Sequence, residues 1–131
     1  MQQILSALEM YYNDNGVYPG NRDRGDCMGW DTGYNGGPAS NDPFIQDLVD
    51  AGFFTRTPGD PTTTGNCDGY AYFRYSAGSY NCNSLRGNFF VLGVHNMETS
   101  GRPHPTSPGW NCPGNRNWQN EFDWVTGRFE R

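Results

Sequence analysis

The chain has few side chains that could carry out catalysis. Its only histidines are His95, at the end of an apolar run, and His104, in a stiff Pro-His-Pro loop. No Gly-x-Ser-x-Gly turn of a serine hydrolase accompanies them. The glycine-rich stretch 33–37 lacks the Lys-Ser/Thr pair of a phosphate-binding loop. The two histidines are therefore interpreted as ordinary surface or strand-end residues.

Acidic side chains offer two further kinds of chemistry. The pairs Asp23/Asp26 and Glu121/Asp123 have the carboxylates of a glycosidase, but that reaction needs a deep cleft, which a small domain seldom builds. We therefore expect no enzymatic activity. Oxygen-rich loops could also bind a hard cation such as calcium. The candidate calcium ligands are Asp60 and Asp68 in one loop, and Asp23, Asp26 and Asp31 in another.

Four ring side chains lie in loops rich in Asn, Asp and Gly: Trp30, Tyr34, Trp110 and Trp118. Flat rings beside amides and carboxylates are typical of sugar-binding surfaces, so these residues are candidates for ligand binding or adhesion. The alternative, which we favour, is that they anchor long loops to the sheet, because large rings bury much apolar area.

Composition restricts the class of protein. A chain of 131 residues fits one domain, and its 34% hydrophobic and 15% aromatic content implies a core built largely from rings. The net charge of −5 argues against a nucleic-acid-binding surface. All nine basic residues are arginine, so covalent links through lysine are excluded. No signal peptide is recognisable and no segment has the about 18 apolar residues of a membrane span.

The elements that must position these residues begin with an amphipathic helix over 1–15. Its apolar side chains recur at steps of three and four residues, and they are Ile4, Leu5, Leu8, Tyr11 and Tyr12. Asn15-Gly16 is a good helix end. We expect Leu8 and Tyr12 to face a sheet.

The remaining chain predicts a loop over 16–42, a short helix over 43–52, and a sheet with C-terminal loops over 70–131. The sheet strands are predicted at 70–75 and 88–96, with a last strand or a hairpin in 121–130. Residues 97–120 are predicted to be loop. This order indicates an α+β fold in which an antiparallel β-meander of three to four strands packs on the first helix.

The cysteines predict two disulfides in an oxidising compartment, since Cys27, Cys67, Cys82 and Cys112 form neither a CxxC motif nor a zinc-type set. If strands 70–75 and 88–96 pair, Cys82 lies at one end of the hairpin and both Cys67 and Cys112 lie at the other. A six-residue strand spans about 20 Å, whereas a disulfide joins Cα atoms within about 7 Å. We therefore favour Cys67–Cys112 and Cys27–Cys82; a tight turn after the first strand would instead allow Cys67–Cys82.

The first nineteen residues, MQQILSALEMYYNDNGVYP, resemble the lower half of the spine helix in type IV pilins and pseudopilins. Four further segments are similar to parts of such globular heads and follow in the same order. They are the short helix ending in Gly and Phe (44–54), the Pro-Gly-Asp-Pro turn (58–61), and the aromatic strands (70–75 and 89–98). The loops 20–40 and 97–120 match nothing in the family.

The resemblance implies that 1–131 is one pilin-like head, a structural subunit of a cell-surface type IV pilus or a secretion pseudopilus. The implied partners are other pilin subunits and the pilus assembly machinery, and the loops would be adhesive towards a surface glycan. The full-length precursor would be inserted in the inner or cytoplasmic membrane through an apolar helix half that this sequence lacks. An extracellular carbohydrate-binding module is the alternative.

The resemblance implies no catalytic residues and no obligatory cofactor. Secretion-type major pseudopilins bind calcium in an acidic loop after their second strand. The corresponding stretch here, 97–109, has Glu98 as its only acid and contains Arg102. A calcium site of the family type is therefore not expected, and the two acidic loops named above remain the candidates.

Overall fold

A computed structural model of the chain describes residues 2–20, 30–33, 45–53, 69–95, 105–112 and 116–131. Two α-helices and six strands lie in these ranges: α1 (Gln2–Asn15), β1 (Asp31–Gly33), α2 (Gln46–Asp50), β2 (Tyr70–Tyr75), β3 (Phe89–Val94), β4 (Asn111–Cys112), β5 (Arg116–Asn117) and β6 (Trp124–Phe129). Short 3-10 turns occupy Ser79–Asn81, Ser84–Arg86 and Trp118–Asn120.

An antiparallel sheet in the order β1-β2-β3-β6 forms the centre of the described structure. Tyr72, Leu92 and Thr126 stand side by side across β2, β3 and β6, which make a meander. Every residue of β3 is buried, because both faces of this strand are covered. The predicted α+β class, with a helix and an antiparallel sheet, is confirmed. Strands β4 and β5 form a separate two-residue ladder.

Helix α1 covers one face of the sheet with its apolar stripe. Ile4 and Leu8 are completely buried, in a cluster that includes Tyr72, Phe90 and Leu92 of the sheet. The other residues of the stripe, Leu5, Tyr11 and Tyr12, are partly buried and pack against the same cluster. We call this side of the sheet the helix face.

The segment that follows α1, residues 16–19, packs closely against the sheet. Gly16, with a φ of 77°, donates its N–H to the Tyr12 carbonyl at 2.7 Å, which a left-handed glycine at a helix end allows. The Tyr18 ring then stacks on Tyr12 at 4.8 Å and meets Phe90 edge-on at 4.6 Å. The buried Tyr72 hydroxyl donates to the Pro19 carbonyl at 2.7 Å. The Tyr-Pro exit is therefore part of the core.

Four expectations need correction. The 16–42 segment contains β1, which pairs with β2 through Asp31 and Tyr72. The short helix is α2, Gln46–Asp50, and the residue before it, Ile45, has a φ of 52°. The region 97–120 is not all loop, since β4, β5 and a 3-10 turn lie within it. The C-terminal segment is a continuous strand, so the hairpin alternative is wrong. The expected caps of α2, at 41 and 42, lie outside the described residues.

Candidate functional site

The face of the sheet opposite α1 is covered by irregular chain rather than by a helix. Residues 105–112 run along β6, and Ser107 and Gly109 contact its Val125: the Ser107 hydroxyl accepts from the Val125 N–H at 3.0 Å, and the Gly109 N–H donates to the Val125 carbonyl at 2.9 Å. Residues 116–122 then return across the same face. We call the two stretches together the covering segment, and this side of the sheet the loop face.

One disulfide fixes the end of the first stretch of the covering segment, at Cys112. Cys82 and Cys112 are bonded, with their Cα atoms 4.9 Å apart. The predicted pairings Cys67–Cys112 and Cys27–Cys82 are therefore wrong, and so is the alternative Cys67–Cys82. The error has a physical cause: the covering segment travels the length of β6, so Cys112 reaches the same end of the sheet as Cys82. Cys27 and Cys67 lie outside the described residues.

Trp118 is the centre of the loop-face core. Its side chain is completely buried, against Tyr75 at 5.6 Å, Tyr80 at 5.5 Å and Phe89 at 6.1 Å between ring centroids. The Arg116 guanidinium lies 4.8 Å from the Trp118 ring. Trp118 was a candidate for ligand binding, and its burial corrects that assignment. It is an anchor of the covering segment.

Arg116 and Glu121 form a two-hydrogen-bond ion pair beside this core. The guanidinium donates to the two carboxylate oxygens at 2.7 and 2.6 Å and also stacks over the Tyr80 ring at 4.7 Å. The hydrogen bonds to Glu121 raise the pKa of Arg116 further above its already high ordinary value. Glu121 is thus engaged by an arginine, while Asp123, its partner in the candidate acidic pair, is buried.

Two glycines in the strands let aromatic rings of the covering segment approach the sheet. A Cβ atom at Gly127 would lie 2.7 Å from the Trp110 ring, and one at Gly93 would lie 2.6 Å from the Phe122 ring. Both distances are too short for any other residue type without displacement. A glycine inside a strand is a known signal of such close approach, so Gly93 and Gly127 are the residues in the sequence that indicate a covering layer.

The other candidate rings have different environments. Trp30 is half-buried and packs against Phe73 and Phe122, with centroids 5.4 and 5.3 Å apart, so it is an anchor as well. Tyr34 lies outside the described residues. Trp110 is half-buried between Gly127 and Phe129, and its indole N–H has no hydrogen-bond partner among the described residues. Its position there rests on ring packing.

A hollow opens beside Trp110, at the edge of the loop face. Its volume is about 480 Å³, and it is bordered by two aromatic rings, three amide side chains and a Pro-Gly turn: Trp110, Phe129, Asn111, Asn117, Gln119, Pro108 and Gly109. Of the candidate ligand-binding residues that the structure describes, only Trp110 contributes to it. The amides and Phe129 were missed, because they come from three stretches that only the fold brings together.

On the helix face, a buried carboxylate joins the chain end to α1. The Glu130 carboxylate accepts from the Arg74 guanidinium at 2.8 and 3.1 Å and from the Tyr18 N–H at 3.0 Å. The Glu130 carbonyl accepts from the Tyr12 hydroxyl. Burial alone would raise the pKa of Glu130, but the hydrogen bonds from Arg74 and Tyr18 outweigh it, so that the pKa is lowered. This network stabilises the contact between α1 and the sheet.

Among the residues that the structure describes, the remaining candidates for catalysis and for metal binding do not converge. His95 is half-buried against the Phe122 ring at 4.2 Å. Asp31 is buried and accepts from the Ile45 N–H at 3.1 Å. In the described ranges, no three His, Cys, Asp or Glu side chains are grouped to bind a metal ion. The candidates His104, Asp23, Asp26, Asp60 and Asp68 lie outside the described residues.

Comparison with known proteins identifies no relative. No family model matches the chain, and neither a curated protein nor a solved structure matches it. Among the described residues, no helix combines the length and the apolar character needed to cross a membrane. Any functional conclusion must therefore come from the residues and their arrangement.

Proposed function

We propose that the chain is the globular head of a type IV pilin-like subunit, which forms a pilus or a secretion pseudopilus at the cell surface. The observation that carries the proposal is that α1 has one side buried on the sheet and one side exposed. Its apolar stripe packs on the sheet, and its other side, with Gln3, Ser6 and Met10, is exposed. The four segments similar to pilin heads, in the family's order, belong to the same chain.

In such a filament, the exposed side of α1 faces neighbouring subunits. Ile4 and Leu8 are completely buried against the sheet, so they stabilise the head and do not contribute to a helix bundle. Met10 is 52% exposed and is the largest apolar side chain on the free side of α1. The lateral attraction comes mainly from an apolar helix half ahead of Gln2, and α1 adds a lateral contact through Met10. Since the chain has no lysine, subunits associate without covalent links through lysine.

The test is incorporation into filaments. The chain is expressed in a pilus-competent host with an apolar membrane-spanning helix ahead of Gln2, and sheared surface filaments are probed with an antibody to the head. We expect the head in the filament fraction. Met10→Glu should reduce its incorporation strongly, because a charge would be buried between helices.

Leu85→Glu is the matched control for this experiment. Leu85 is also apolar and is 82% exposed, but it lies in the turn Ser84–Arg86, far along the chain from α1. We expect its variant to enter filaments normally. Absence of the unsubstituted head from every filament would overturn the proposal, and equal loss for both variants would overturn the role given to α1.

The alternative function, a carbohydrate-binding module based on loop tryptophans, loses much of its support. Trp118 is completely buried and Trp30 packs on Phe73 and Phe122. The Trp118 ring therefore cannot offer a flat face to a sugar, and the contacts of Trp30 are those of a loop anchor. Trp110 borders an open hollow, and that hollow can serve a filament subunit as well as a free-standing module.

A further inference from the structure

We propose that the hollow between Trp110 and Phe129 binds a small neutral saccharide. Its volume of about 480 Å³ lies within the range of about 300–1,000 Å³ that small-ligand sites occupy. The proposal deepens the adhesive part of the proposed function. It does not depend on filament assembly, because binding can be measured on the isolated chain.

The lining of the hollow combines the two kinds of group that a sugar needs. Trp110 and Phe129 lie with their ring centroids 5.1 Å apart at 51°, and they supply apolar surface for the C–H groups of a pyranose ring. Asn111, Asn117 and Gln119 supply amide groups, which donate and accept hydrogen bonds at once. Sugar hydroxyls also do both, so amides are suitable partners for them.

The amides are arranged before any ligand arrives. Asn111 and Asn117 stand directly opposite each other on the β4–β5 ladder, which places their Cβ atoms within about 4.5–5.5 Å on one side of it. Both side chains are exposed. The Asn117 Oδ1 accepts from the Gln119 N–H at 3.1 Å, which fixes the amide and leaves its Nδ2 for a ligand. The Cys82–Cys112 disulfide adjoins Asn111 and restrains the ladder.

Gln119 is fixed from both ends of its amide. Its Oε1 accepts from the Ser107 hydroxyl at 2.6 Å, and its Nε2 donates to the Phe122 carbonyl at 3.0 Å. These contacts hold one wall of the hollow in place. A preorganised polar wall lowers the entropy lost when a ligand binds.

The charge of the site favours a neutral ligand. None of the described residues that border the hollow is ionisable. Arg86 lies 4.8 Å from the Phe129 ring centroid, but its guanidinium donates to the Arg131 carbonyl at 2.8 Å and it does not border the hollow. The net charge of −5 also repels acidic sugars at long range. Sialylated and sulfated saccharides are therefore not expected to bind.

In the experiment, the full chain is titrated with saccharides, and NMR monitors its backbone, indole and side-chain amide N–H groups. One arm uses neutral hexoses, N-acetylhexosamines and their disaccharides at micromolar to millimolar concentration, and a second arm uses sialylated and sulfated counterparts. We expect neutral saccharides to shift the resonances of Trp110, Asn111 and Asn117. Acidic saccharides should not shift them.

Two variants test the amides separately from the fold. Asn117→Asp keeps the oxygen that accepts from Gln119 but replaces the free NH₂, and Asn111→Ala removes an exposed amide. Each should weaken binding about tenfold, as expected for a lost hydrogen bond, and leave the melting temperature unchanged. Asn13→Asp, on the exposed side of α1, introduces the same charge elsewhere and should bind like the unsubstituted chain.

Three results would overturn the proposal: no shift at the hollow with any neutral saccharide, preference for the acidic arm, or unchanged affinity in both hollow variants. The filament proposal would survive each of them, because incorporation is measured separately. Conversely, saccharide binding by a head that never enters filaments would leave this inference standing and remove the filament role.

Discussion

The two faces of the sheet are covered by different kinds of structure. The helix face is covered by α1, whose backbone hydrogen bonds are largely internal, so that apolar side chains such as Ile4 and Leu8 do most of the packing. The loop face is covered by an irregular segment, whose backbone needs partners from outside itself. One such partner is the Val125 carbonyl of β6, which accepts from the Gly109 N–H. The Ser107 hydroxyl in turn accepts from the Val125 N–H.

The difference teaches how an irregular layer can be part of a core. The covering segment is fixed by a disulfide at Cys112, by the buried ring of Trp118 and by close approach of its rings to Gly93 and Gly127. A helix presents a regular stripe and needs no such set of anchors. The loop face is therefore sensitive to single substitutions, because each anchor is a single residue. The benefit is a surface with a hollow beside Trp110.

The largest effect should come from removing the central anchor of the loop face. Trp118→Ala should lower the free energy of unfolding by about 3–5 kcal/mol, the usual loss for a buried tryptophan. Urea unfolding measures this loss. Hydrogen exchange should show faster exchange at the Gly109 amide than at the Gly16 amide on the helix face. Leu85→Ala, at an exposed position, is the control and should change stability by less than about 0.5 kcal/mol.

The matching change on the helix face is Leu8→Ala. Leu8 is completely buried, so truncation should lower the free energy of unfolding by about 2–5 kcal/mol. Exchange should now accelerate first at Gly16 and last at Gly109, the reverse of the order for Trp118→Ala. A melting temperature equal to that of the unsubstituted chain would show that α1 does not pack on the sheet. The same order of exchange in both variants would remove the distinction between the faces.

A smaller, pH-dependent effect should come from Glu130. Because the pKa of this carboxyl is below its ordinary value of 4.5 in the folded chain, its ionised form stabilises the fold above that pH, and the contribution disappears as the pH falls through the folded pKa. Glu130→Gln should cost about 1.5–3 kcal/mol near neutral pH, as expected for hydrogen bonds to a charged group.

Urea unfolding near neutral pH and below the folded pKa of Glu130 checks this prediction. The difference between Glu130→Gln and the unsubstituted chain should shrink in acid. Glu9→Gln is the control, because Glu9 pairs with Arg128 in an exposed ion pair and such pairs contribute about 0–1 kcal/mol. A pH-independent difference for Glu130→Gln would show that the partly buried ion pair with Arg74 is not formed.

The helix face was the more predictable of the two. The apolar residues of α1 recur at helical spacing, and β2 and β3 are rich in strand-forming residues. The local sequence therefore predicts these elements directly. Strand β1 was missed because Asp-Thr-Gly has little strand propensity. It forms because β2 offers a free edge and Asp31 bonds to the Ile45 N–H. That second contact joins residues fourteen positions apart, so no local pattern contains it.

The loop face could not be derived from the same signals. Its rings were interpreted as loop anchors, which is right for Trp118 and Trp30, but nothing local indicates that residues 105–112 travel along β6. The hollow depends on that path, because Asn111, Asn117 and Phe129 meet only after it is followed. The glycines at 93 and 127 were the available signal for a close covering layer.

The path of the covering segment is also the reason why the disulfide pairing was wrongly predicted, and the pairing therefore tests the account most directly. Peptide mapping of the unreduced protein, with proteolysis at low pH to prevent exchange, should recover Cys82 and Cys112 in one linked peptide. That result places Cys112 at the end of the sheet where β2 turns towards β3. A peptide that links Cys67 to Cys112, or Cys27 to Cys82, would contradict the covering segment and the hollow built on it.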